Sequence, residues 1–281
     1  MLNITSYTTL NNGVKMPILG FGTYKVDNGN TVIQSVKEAL NIGYRSIDTA
    51  SFYNNEEGVG IALKESGLKR EEIFLTSKVW NSDQGYEKTL DAFHRTLKNL
   101  QTTYLDLYLI HWPTPLFGET WRALEELYRN GYIRSIGVSN FTIDHLKSLL
   151  ETAEIPPMVN QVEFHPLLVQ NELIEFCKNQ SIQLEAWSPL MRGRVFDIPL
   201  LQDLAKKYNK TISQIVLRWD IQMGVVTIPK STTPERIIEN SSIFDFELSN
   251  EDVLKIQNLD KGVRVGSHPD KIYASPDIFN K

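Results

Sequence analysis

Short apolar runs alternate with amphipathic stretches along almost the whole chain. The runs ILGFG (18–22), RSID (45–48), IFLTSKVW (73–80), YLDLYLIHW (104–112), IRSIGVSN (133–140), MVNQVE (158–163), IQLEAW (182–187) and VVTIP (225–229) read as eight strands. Between them apolar residues recur at helical spacing: Val32, Val36, Ala39 and Leu40 ahead of Gly43; Leu90, Phe93 and Leu97; Trp121, Leu124, Leu127 and Tyr128 ahead of Gly131. The two glycines suit helix C-termini, where a left-handed residue closes the last turn. Strict alternation of strand and helix predicts a parallel sheet. Eight such units in about 250 residues match a closed (β/α)8 TIM barrel, an α/β fold.

A doubly wound open sheet is the alternative, and one that bound a dinucleotide would carry a glycine fingerprint in its first βα turn. The nearest matches, GFGTYK from Gly20 and GVGIAL from Gly58, lack the third glycine and read as turns. Ahead of the first run, YTTLNNGVKMP (7–17) has two short extended pieces around Asn12-Gly13, the signature of a β-hairpin, which is expected to close the bottom of the barrel. No linker, repeat or low-complexity tract divides the chain, so residues 1–281 are expected to form one domain.

A barrel of this kind keeps its chemistry at the C-terminal ends of its strands. Asp48 ends the second run, Lys78 and His111 lie near the ends of the third and fourth, and Ser139 and Asn140 end the fifth. Gln161 lies late in the sixth, Trp187 and Ser188 end the seventh, and Lys230 follows the eighth. Taken singly, a strand-end histidine is an ordinary hydrogen-bonded residue, and an aspartate with a lysine an ordinary ion pair. Gathered on one rim, they make a site. Period-two alternation puts Leu105, Leu107, Leu109 and His111 on one strand face, and Phe74, Thr76 and Lys78 on another. A lysine turned into a barrel needs a partner.

Tyr53 follows Asp48 closely. A tyrosine ordinarily ionises near pH ~10, and a neighbouring ammonium stabilises its phenolate. The expectation is that Lys78 supplies that field, that Asp48 keeps Lys78 charged and oriented, and that His111 hydrogen-bonds a carbonyl oxygen. Together they would protonate an oxyanion, a site that needs a source of hydride. His94, His111, His145, His165 and His268 show no ligand spacing, so no metal is expected. Glu56 and Glu57 read as the first turn of a helix, where negative charge complements the dipole.

Composition narrows the setting. The chain has 281 residues, 41% hydrophobic and 22% charged, enough to bury a large core. Cys177 is the one cysteine and no secretory-type leader opens the sequence, so a reducing, cytoplasmic location is expected. No apolar window approaches the ~18 residues of a membrane span. A net charge of −5 gives no broad footprint for nucleic acid.

The segments GFGTY from Gly20, YRSIDTASFYNNEEGVG from Tyr44, TSKVW from Thr76, YLDLYLIHWP from Tyr104, IGVSNF from Ile136, NQVEFHP from Asn160, AWSPL from Ala186 and IPKSTTPERIIEN from Ile228 together resemble the aldo/keto reductase family. They do so in order along essentially the whole chain, and most resemble its bacterial-type branch of diketogluconate, methylglyoxal and glyoxal reductases. The resemblance implies a (β/α)8 barrel that binds NADP(H) without a Rossmann fold. It also implies a catalytic tetrad of Asp48, Tyr53, Lys78 and His111, with Tyr53 as general acid.

By the same likeness Ser139, Asn140 and Gln161 bind the nicotinamide carboxamide and Trp187 stacks on its ring, where many members have tyrosine. Gly22, Thr23, Asp48, Ser188 and Leu190 contribute to the same site. Lys230, Ser231 and Arg236 lie toward the 2′-phosphate, Glu239 and Asn240 toward the adenine, and Thr232, also in the cofactor site, stands where a small apolar residue is common in the family. Two cations and a hydroxyl suit a dianionic phosphate, so NADPH is expected in preference to NADH. Tyr24, Tyr53, Trp80, His111 and Trp112 form the substrate pocket, and only Pro113 to Gly118 separates it from the next helix. GVRVGSHPDKI from Gly262 resembles the family's C-terminal tail near the barrel mouth. A monomeric reductase of small aldehydes, ketones, 2-oxoaldehydes or keto sugars is expected. The alternative is an NADP(H)-binding sensor or structural protein on the same barrel.

Overall fold

The computed structural model describes residues 2–272. Strands β1 (Tyr7–Thr9) and β2 (Lys15–Pro17) form an antiparallel hairpin. Then come β3 (Phe21–Gly22), α1 (Asn30–Ile42), β4 (Ser46–Asp48), α2 (Glu56–Glu65), β5 (Phe74–Val79), α3 (Tyr86–Asn99), β6 (Leu107–Ile110) and α4 (Phe117–Arg129). The second half runs β7 (Ile136–Ser139), α5 (Ile143–Leu150), β8 (Val159–Glu163), α6 (Asn171–Asn179), β9 (Gln183–Trp187), α7 (Pro199–Tyr208), α8 (Ile212–Gln222), β10 (Val226–Thr227), α9 (Pro234–Ser241) and α10 (Asn250–Gln257).

Strands β3 to β10 pair in chain order, all parallel. Leu19 meets Thr227 in a parallel bridge. There the Gly20 N–H donates to the Thr227 carbonyl at 2.9 Å, and the Thr227 N–H to that of Ile18 at 3.1 Å. The eight strands therefore close on themselves as the expected barrel. Every residue of β5, β6, β7 and β8 is buried, as parallel strands covered on both faces must be.

The hairpin sits against the N-terminal ends of the strands. Thr8 Oγ1 donates to Gln183 Oε1 at 3.0 Å, Asn11 Nδ2 to the Pro157 carbonyl at 3.1 Å and Asn12 Nδ2 to that of Arg134 at 2.9 Å. Met16 of β2 is fully buried. Below the strands Asp106 takes Arg70 at 2.8 Å and Arg134 at 2.7 Å, so this end is tied by structural ion pairs.

GFGTYK runs from the end of a strand into a turn at residues 24–25, but GVGIAL differs from its reading as a turn. Gly22 lies in β3, and Gly58 and Gly60 lie inside α2. A Cβ on Gly60 would stand 2.7 Å from the Asn99 carbonyl oxygen, and one on Gly58 2.3 Å from Val32 Cγ1. These glycines let helices meet closely, which helix periodicity does not reveal. Nor does α8 show an amphipathic stripe, because nine of its eleven residues are buried.

Candidate active site

Alternation along β4, β5, β8 and β9 turns Asp48, Lys78, Gln161 and Glu185 into one buried polar cluster near the C-terminal ends of the strands. Lys78 has no exposed surface and Asp48 only 2%. The Lys78 ammonium lies 2.7 and 2.8 Å from the two Asp48 oxygens, 3.0 Å from the Thr49 carbonyl and 3.2 Å from the Tyr53 hydroxyl. Burial alone would lower the pKa of this lysine. The nearby Asp48 and Tyr53 outweigh it and raise Lys78 above its ordinary pKa.

Tyr53 reaches the cluster from a 3-10 turn, Ser51–Tyr53, that follows β4. Burial pushes its hydroxyl up to about 12, against the pull of Lys78. This corrects the expectation that Lys78 makes the phenol easier to ionise than usual. The ammonium acts on Tyr53, but Asp48 opposes it, and desolvating a phenolate costs more than the ammonium returns. Tyr53 is thus a firmly protonated acid at neutral pH. His111 stands edge-on to Trp80 and Tyr53, with ring centroids 5.0 and 5.7 Å apart. Burial, and then the charge of Lys78, hold its pKa well below the ordinary imidazole value. A neutral ring can donate one hydrogen bond without carrying charge.

These side chains open onto a cleft of about 1240 Å³. Tyr24, Phe52, Tyr53, Trp80, His111 and Trp112 make an aromatic wall, in which Phe52 stacks on Trp80 at 3.8 Å between centroids. Another part of the lining is a chain of hydrogen bonds. Trp187 Nε1 donates to Asn140 Oδ1 at 2.8 Å, Asn140 Nδ2 to the His111 carbonyl at 3.0 Å, and Ser139 Oγ to the Gln161 carbonyl at 2.8 Å. Asn140 adopts the left-handed backbone region at φ 64°, a conformation that non-glycine residues keep only where surrounding contacts hold it.

Gly22, Ser188, Leu190, Lys230, Ser231, Arg236, Glu239 and Asn240 also line the cleft. Burial, and then Lys25, lower the pKa of Lys230. Three expected residues stand off the wall. Lys78 touches it through Tyr53 and Asp48, which both line it. Thr23 is buried, and both its N–H and its hydroxyl donate to the Asp48 carbonyl, at 3.0 and 2.9 Å. Thr232 is exposed to solvent.

Several lining residues went unread in the sequence. Lys25 and Phe52 adjoin Tyr24 and Tyr53 but carry no signal of their own. Arg192, Gly193 and Phe196 belong to the turn Met191–Asp197, whose left-handed residues Arg192 and Gly193 leave no period to detect. Glu185, behind the lining, also went unread; it shares a face of β9 with Trp187, so period two was the available clue. The tail does reach the mouth: Val265, Gly266 and Ser267 line the cleft, and the Val265 N–H donates to Glu163 Oε1 at 2.5 Å. The tail beyond residue 272 lies outside the described residues. Glu56 begins α2 as expected, but it is buried, accepting from Ser77 Oγ at 2.7 Å and Asn99 Nδ2 at 3.1 Å.

Comparison with known proteins gives concordant matches. The aldo/keto reductase family model matches residues 18–261. The glyoxal reductase of Bacillus subtilis (strain 168) is 62% identical over 264 residues, which cover 94% of this chain and 96% of that protein. Methylglyoxal reductase DkgA of Escherichia coli (strain K12) is 46% identical over 267 residues, 93% of this chain and 96% of that one. The solved structure of the Bombyx mori aldo-keto reductase in complex with NADP superposes with a TM-score of 0.89 at 36% identity, covering 96% of this chain and 97% of that one.

Proposed function

The chain belongs to the aldo/keto reductase family of oxidoreductases, and from that premise we propose that it reduces small aldehydes and ketones to alcohols with NADPH. Glyoxal and methylglyoxal, the substrates in the names of two relatives, are the 2-oxoaldehydes to try first. The observation that carries this reading is the Lys78 ammonium held between Asp48 and the Tyr53 hydroxyl, beneath a cleft walled by aromatic rings.

The lining has the donor set that a dinucleotide phosphate requires. Trp187 offers a flat ring for stacking, and Ser139, Asn140 and Gln161 offer hydrogen bonds to a carboxamide. Lys25, Lys230, Ser231 and Arg236 gather positive charge and a hydroxyl beside the start of α9, where phosphate oxygens are favoured. When bound, NADPH supplies the hydride. His111, neutral, donates a hydrogen bond to the substrate oxygen and orients the carbonyl. As that oxygen gains negative charge, Tyr53 gives it the phenolic proton, and the phenolate left behind faces the Lys78 ammonium. Asp48 holds Lys78 in place and charged. The aromatic wall excludes water from the reacting carbon. Preference for NADPH over NADH, a cytoplasmic monomer and one catalytic domain over residues 1–281 belong to the same reading.

The test is NADPH oxidation at 340 nm with a panel of aldehydes, comparing the parent with Tyr53→Phe. Tyr53→Phe is expected to lose turnover by about a hundredfold or more, the range for a general acid, while keeping its NADPH affinity. Parent protein that binds NADPH yet turns over no carbonyl points instead to a nucleotide-binding role. A Tyr53→Phe variant with parental kcat shows that another group is the acid.

A further inference from the structure

Gln161 lies between two buried acids. Its Nε2 donates to Asp48 Oδ2 at 2.8 Å and to Glu185 Oε2 at 2.7 Å. Gln161 is 2% exposed and Glu185 1%. A primary amide nitrogen has two protons, and here each has its own acceptor. The Asp48 oxygen facing Gln161 also accepts from the Lys78 ammonium, so the amide presents its nitrogen to it and cannot turn over without setting its own oxygen against that carboxylate. Gln161 Oε1 is thereby left to serve the cleft, which Gln161 lines. Asp48 alone would leave the amide one contact about which to swing. Glu185 supplies the second.

Glu185 does not line the cleft, so it acts only through Gln161. Its other oxygen, Oε1, has no hydrogen-bond partner among the described residues. Burial, and then the charge of Asp48, push its pKa up to about 8, and in either protonation state a carboxyl oxygen of Glu185 can accept from Gln161. A buried acid that makes one hydrogen bond is a costly residue for packing alone.

We propose that Glu185 is a positioning residue for cofactor recognition, fixing the Gln161 amide with its oxygen turned to accept from the nicotinamide carboxamide. This rests on the reading of Gln161 as a carboxamide partner, and it adds a reason why that side chain presents one end and not the other.

The experiment compares binding of NADP+ with that of its 3-acetylpyridine analogue, which lacks the carboxamide NH2. The proteins are the parent, Glu185→Gln, Glu185→Met and Glu185→Leu, with thermal melting recorded for each. Glutamine at 185 can still accept from Gln161, and methionine and leucine cannot. The parent and Glu185→Gln are expected to favour NADP+ over the analogue by about tenfold, the scale of one well-made hydrogen bond. In Glu185→Met and Glu185→Leu that preference should shrink toward equality. Two apolar variants guard against one that does not fold. Loss of the preference in both apolar variants with rescue by glutamine establishes the role. An undiminished preference in a folded apolar variant overturns it, even if melting temperatures change. A parent that shows no preference overturns the carboxamide reading of Gln161 itself.

Discussion

At the residue scale, Lys78 ties stability to chemistry. Its ammonium has no exposed surface and spreads its hydrogen bonds over Asp48, Thr49 and Tyr53. Removing one partner of a buried ion pair leaves the other charge uncompensated, whereas replacing both by neutral groups of similar size is far less costly. Lys78→Met is therefore expected to lower folding stability by about 3–5 kcal/mol. Asp48→Asn combined with Lys78→Met should recover most of that loss, and neither protein should reduce carbonyls. Urea denaturation and the 340 nm assay check the two halves separately. A double variant no more stable than Lys78→Met would show that the cost arises from packing and not from charge. The expected proximity of these residues was legible because strand alternation fixes which side chains face inward. The Tyr53 pKa was not, because the balance between burial and an ammonium depends on how much water each group loses.

At the element scale, what the sequence disclosed depended on whether an element shows two different faces. Helices α1, α3 and α4 have a buried stripe and an exposed one, and their apolar spacing was readable. Helix α8 is buried nearly all round, so no stripe marks it. Gly60 was misread because a close helix contact and a turn can both call for glycine. Its place in α2 gives a prediction that helix propensity alone would get backwards. Alanine is the better helix former by about 1 kcal/mol. At Gly60 the added Cβ would press within 2.7 Å of the Asn99 carbonyl oxygen, on backbone that cannot swing aside. Overpacking of that kind costs about 1–3 kcal/mol, so Gly60→Ala should be destabilising. Gly118 in α4 is the control: nothing stands within 4 Å of its would-be Cβ, and Gly118→Ala should be neutral or stabilising by up to ~1 kcal/mol. Urea midpoints at unchanged slope measure both changes. Similar shifts for the two variants would contradict the packing account.

At the scale of the whole molecule, the two ends of the barrel use their charges differently. The bottom holds Asp106 between Arg70 and Arg134 and is closed by the hairpin, while the cleft at the other end gathers Lys25, Lys230 and Arg236 in a chain of net charge −5. A local basic patch against a net negative protein suits a small, highly charged ligand, and the 2′-phosphate is what separates NADPH from NADH. Arg236 is exposed, so its contribution is a partly screened charge-assisted hydrogen bond, not a buried pair. Arg236→Ala should raise KM for NADPH by about tenfold, the effect of one such hydrogen bond, and change KM for NADH by no more than about twofold. Raising ionic strength should reproduce the trend in the parent, weakening NADPH more than NADH, and should do less in Arg236→Ala because part of the screened interaction is already gone. Arg236 lies outside the aromatic wall, so kcat at saturating NADPH should stay near the parental value. Equal KM increases for the two cofactors would show that Arg236 serves a part of the dinucleotide they share, and would remove the basis for expecting NADPH selectivity from this end of the cleft.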